Sequence, residues 1–224
     1  MLSLLVVPEK PIDFSFNPPV GTVLECSIKS TDISNPKKPA VSSAVYRLQV
    51  KDPLKGKIHL VMNLISPKPT DGGTSSTIFE NLFTRYGIPG QFLVADGVWN
   101  AEEFWSMPLP AAKMIKGQTL SYKTNIEFVT ISGKATFLGY KERKGRLLPE
   151  ITTSFSFVSG EPDLIEDRKV SAVYLYDPRL KCIVHARSSI TINDIDTEPP
   201  IYLRIKTEFD AKEVSSPPRV GVKS

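Results

Sequence analysis

Apolar and polar residues alternate with period two along most of the chain, the pattern of strands with one buried face. In "GTVLECSIKS", Thr22, Leu24, Cys26 and Ile28 share one face and Glu25, Ser27 and Lys29 the other. "SAVYRLQVK" places Ala44, Tyr46, Leu48 and Val50 together; "GKIHLVMNLI" does the same with Ile58, Leu60, Met62 and Leu64. The turn signal "DPLKG" lies between them, so the two segments read as a hairpin. In the second half, "TLSYKTNIEFV" turns Leu120, Tyr122, Thr124, Ile126 and Phe128 inward. A hairpin follows, turning at Lys144-Gly145, with Ile151, Thr153, Phe155 and Phe157 on one face of its second strand. Another turns at Asp177-Pro178, and "IYLRIKTEF" is a last strand.

One stretch breaks the period. "TIFENLFTRYG" (77–87) has Thr77 and Glu80 at capping-box spacing, a stripe of Ile78, Leu82 and Tyr86, and Gly87 where a helix would stop. It predicts a short helix lying on the sheet. "DG" at 96–97 predicts a tight hairpin turn.

Two similar halves emerge. Gly21-x-x-Leu24 and Gly117-x-x-Leu120 each open a strand, and two hairpins follow each. The expected organisation is an extended segment (1–19), a first β half (20–105) containing helix 77–87, a Pro-containing connector (106–117), a second β half (118–210) and a flexible tail (211–224). The fold class is all-β and mainly antiparallel: a curved meander, as a half-barrel or two packed pseudo-repeated sheets, with one short helix covering the sheet. A single sheet of about ten strands must curl, because strands twist.

Composition narrows the function. Hydrophobic residues are 41% and charged residues 23% of the 224, ordinary globular usage. A net charge of +4 is too small to argue nucleic-acid binding. No apolar run approaches the roughly 20 residues of a membrane-spanning helix. "LSLLVV" near Met1 reads as the stub of a signal-peptide core or as a first strand; it has no basic residues before it and no small-residue cleavage site after it.

Candidate chemistry is sparse. Neither histidine, His59 or His185, pairs with a nucleophile: His185 and Ser188 fall on opposite faces of one strand, and His185 is expected on the solvated surface. No catalytic residue, metal site or cofactor is assigned. Cys26 and Cys182 both alternate inward and are either buried thiols or a disulfide. The basic run Lys141, Arg143, Lys144 and Arg146 is a candidate contact for an anionic membrane surface or acidic partner. An aromatic set, Phe79, Phe83, Tyr86, Tyr122, Phe128, Phe155 and Phe157, is either core or an apolar face that binds a ligand.

"GQFLVADGVW", "MPLPAAKMIKGQTL", "FLGYKERKGRLLPEI" and "YLYDPRLKCIVHARSSITI" together resemble a group of bacterial envelope proteins, secreted proteins and lipoproteins, and more distantly the lipoprotein-carrier (LolA/LolB-like) half-barrels. The resemblance implies a periplasmic or envelope-associated protein; without it, a cytoplasmic location is the alternative. The expected function is a non-catalytic binding module holding a lipid-like ligand or an apolar protein segment. The alternatives are an accessory subunit of a larger complex and, last, a hydrolytic enzyme.

Overall fold

The computed structural model describes residues 10–66, 77–83, 89–95, 109–110, 112–126, 129–159, 166–194 and 201–214. These form thirteen strands and no helix: β1 (Ile12–Asp13), β2 (Val23–Asp32), β3 (Ala40–Leu54), β4 (Lys57–Ser66), β5 (Thr77–Phe83), β6 (Pro89–Ala95), β7 (Lys113–Met114), β8 (Thr119–Ile126), β9 (Val129–Arg143), β10 (Arg146–Ser159), β11 (Glu166–Asp177), β12 (Cys182–Asp194) and β13 (Ile201–Glu213). Eleven make one antiparallel sheet in the order β6-β5-β4-β3-β2-β13-β12-β11-β10-β9-β8, and β1 pairs with β7 in a separate ribbon. The two halves are therefore one open sheet, joined where β13 meets β2. The last strand continues to Glu213, past the expected start of the tail.

The expected helix at 77–87 is corrected. Thr77–Phe83 is strand β5, antiparallel to β4 with Phe79 opposite Met62 and Phe83 opposite Ile58. A three-turn helix is marginal alone, whereas Thr, Ile and Phe suit a pleated surface. The sheet edge at β4 offers a ladder of backbone partners that an isolated helix lacks. Residues 84–87, the start of the chain to residue 9, and the predicted turn at 96–97 lie outside the described residues.

The alternation puts the expected residues inward. Leu24, Cys26, Ile28, Tyr46, Leu48, Val50, Leu60 and Met62 are buried, as are Ile151, Phe155, Ala186 and Phe209, within one apolar cluster. A flat sheet of eleven strands would be about 47 Å wide. One cluster drawing on strands from β2 to β13 requires that it curl.

The halves do begin alike. Gly21 and Gly117 share a left-handed φ of 82°. Gly21 N donates to Val50 O, and Gly117 N donates to Phe137 O. Val50 N in turn donates to Thr22 O, and Phe137 N to Gln118 O. Each glycine thus starts its half by locking onto the strand that follows next in that half. The turns match too. Lys55-Gly56 and Lys144-Gly145 have φ of 53°, 71°, 50° and 73°, the positive values of a two-residue type I′ hairpin. At the β11–β12 turn, fully buried Asp177 accepts from the Arg179 and Leu180 N–H groups and from Arg146 (2.8 Å).

A strap lies on the inner face. Residues 12–16 run between β1 and the β11–β12 turn, with Phe14 fully buried and Phe16 2% exposed. The Phe14 ring meets Phe137 at 5.3 Å and Tyr176 at 5.2 Å between centroids. Tyr176 Oη donates to Ser15 O at 2.8 Å. The connector of the sequence reading supplies the other half of this ribbon, Met114 opposite Ile12.

Burial raises the pKa of the Tyr174 and Tyr176 phenols. The folded state therefore favours the neutral phenol. That contribution is complete below the unfolded tyrosine pKa of about 10 and is lost as pH rises beyond it. We expect the phenolate absorbance of these two residues to emerge together with loss of the β-sheet circular dichroism. Ionisation of all seven tyrosines ahead of any dichroism change would contradict this.

Candidate functional site

The polar residues that converge lie on the outer face, where β12 and β13 run side by side. Residues two apart on a strand share a face, so His185 and Arg187 stand together on β12, and Glu208 and Asp210 on β13. The register sets His185 opposite Asp210 and Arg187 opposite Glu208. Arg187 donates to Glu208 Oε1 through Nε (3.2 Å) and a terminal nitrogen (3.1 Å). Arg143 donates to Asp210 Oδ1 at 2.5 Å.

Arg143 comes from far across the sheet. β9 and β13 are four strand spacings apart, about 19 Å in a flat sheet. The end of the β9–β10 hairpin bends over to close that gap. Its register shifts at Glu150/Ile151, and β11 shifts at Leu175/Tyr176; such bulges bend strands. The pairing of β10 with β11 stops at Glu150–Leu175, so Arg146–Pro149 leave the main sheet.

This bend corrects the expectation for His185. It faces outward as read from the alternation, but it is 7% exposed rather than solvated. Nδ1 lies 3.2 Å from Asp210 Oδ1, yet it is a buried nitrogen with no hydrogen-bond partner, because the two are not aligned for one. Burial, then the Arg143 charge, lowers the His185 pKa, against the pull of Asp210. Beside the cluster, a depression of about 220 Å³ is lined by Ser27, Lys29, Ser43, Val45, Glu208 and Asp210.

The residues singled out from the sequence are distributed otherwise. Tyr122 is half-buried on the inner side and Phe155 is buried in the core. Phe79, Phe83 and Phe157 have backbones in β5 and β10, but their side chains are outside the described ones; Tyr86 and Phe128 are outside the described residues altogether. Two hydroxyls toward the inner side, Tyr122 Oη and Ser188 Oγ, are buried without a hydrogen-bond partner. Of the four basic residues, Lys141 pairs with Glu150, Arg143 with Asp210 and Arg146 with Asp177, which leaves Lys144 at the hairpin turn. Three of the four charges are thus already matched within the chain.

The disulfide alternative is corrected. Cys26 and Cys182 are free and buried. Strand β13 lies between β2 and β12, so the strands that carry the two are not neighbours. Burial first, and then Cys182, raises the Cys26 pKa; burial likewise raises that of Cys182. Both thiols are inert in the folded protein.

Sequence reasoning missed Glu208 and Asp210. The available signal was the alternating polar set, His185-x-Arg187 and Glu208-x-Asp210, on the solvent sides of consecutive strands. No protein-family model matches the chain, and no curated protein matches it. Fold and site together define an open antiparallel β-sheet protein with a strapped inner face and an ionic outer site.

Proposed function

We propose that the protein is a non-catalytic binding module whose curved sheet receives an extended apolar segment or a lipid-like chain on its inner face. The strap carries this reading. Residues 12–16 are an extended segment laid across the sheet with Phe14 and Phe16 seated inward, so the chain occupies its own inner face in the manner a partner would. The buried, unpartnered hydroxyls of Tyr122 and Ser188 add support, since buried polar atoms ordinarily have a partner. The resemblance to envelope proteins supports an envelope location.

Native mass spectrometry of the full chain, incubated with phospholipid vesicles and with apolar peptides, tests the reading. The expected result is a retained adduct of lipid or peptide mass. A chain that stays adduct-free under both conditions overturns it.

The open sheet favours a second reading, an accessory subunit. Among the described residues, strands β6 and β8 are its two edges, and an edge strand can accept a strand from another protein. Light scattering that finds only a monomer, with no protein co-purifying, counts against it.

A further inference from the structure

We propose that His185, Glu208 and Asp210 bind a divalent transition-metal ion of the zinc type on the outer face. The three offer one imidazole nitrogen and two carboxylates, a donor set suited to such ions. Their ligand atoms lie within 4.8 Å of one another. Tetrahedral ligands at about 2.0–2.2 Å from zinc stand about 3.3–3.6 Å from each other. Glu208, whose side chain is 45% exposed, has room to rotate toward the other two.

The second observation is His185 Nδ1. It is buried, has no hydrogen-bond partner, and lies 3.2 Å from Asp210 Oδ1. The two lack the alignment of a hydrogen bond, so a buried donor atom of the set is left unsatisfied. A cation bound beside Nδ1 would satisfy that nitrogen. Arg143 and Arg187 bond Asp210 Oδ1 and Glu208 Oε1, and each carboxylate has a second oxygen to offer. The arginines would thus act as outer partners that orient the ligands. Both carboxylates also line the depression, which provides an entry path and an open coordination position.

Isothermal titration of the full chain with zinc chloride under reducing conditions tests the site, with cobalt(II) absorbance as an independent readout. One saturable site per chain is expected, weakened at least about tenfold in both His185→Gln and Glu208→Gln. Zinc should also raise the melting temperature of the wild type but not of the variants. No saturable site, or a site of unchanged affinity in either folded variant, overturns the proposal and leaves an ion-pair lattice only. If His185→Gln fails to fold, the more exposed Glu208→Gln decides alone.

Discussion

Replacing Phe14 with alanine is expected to lower the unfolding free energy by about 3–5 kcal/mol, the usual cost of emptying a buried phenylalanine site. Phe14 has no exposed surface, and its ring is flanked by Phe137 and Tyr176. The surrounding wall is rigid sheet, which cannot collapse into the space left behind. The loss also loosens the strap at Ser15, whose carbonyl accepts the buried Tyr176 hydroxyl. Urea denaturation should show a lower midpoint with a similar slope. A loss below about 1 kcal/mol would mean that Phe14 does not anchor the strap.

Gly133→Ala should be comparably damaging, at about 3 kcal/mol, the upper end for overpacking. A β-carbon built on Gly133 falls 2.4 Å from Ser154 O and 2.5 Å from Phe155 Cβ. The first of these is backbone in the paired strand β10, so rotating a side chain gives no relief. Gly133 also pairs with Tyr122 on β8, so any shift reaches the sheet edge. Thermal unfolding of the purified variant is the check, and a melting temperature within a degree or two of the wild type would refute the predicted clash.

The inner face was legible in the sequence because strand geometry acts locally: Leu24, Leu48 and Leu60 could be assigned inward from their immediate neighbours. Segment 77–83 was misread because seven residues containing Ile78, Phe79, Leu82 and Phe83 satisfy either period. The choice was made by a partner, β4, that no local window contains. The outer cluster was hidden for a related reason. His185 and Asp210 are 25 positions apart and meet only through the β12–β13 register, while Arg143 arrives only because two bulges bend a distant hairpin. Gly133 was equally silent, since a glycine in a strand shows its purpose only once the facing backbone is placed.

The seam between β13 and β2 has a kinetic consequence. Read from β8, the sheet runs 8-9-10-11-12-13 and then 2-3-4-5-6, a plain up-and-down ribbon that has been cut and rejoined. Every neighbouring pair but one is adjacent in the chain. The exception unites Ser30 with Thr207, a contact spanning 177 positions. Such long-range closure is what slows folding. During synthesis the first half must therefore wait, with one flank of β2 bare, until β13 has left the ribosome.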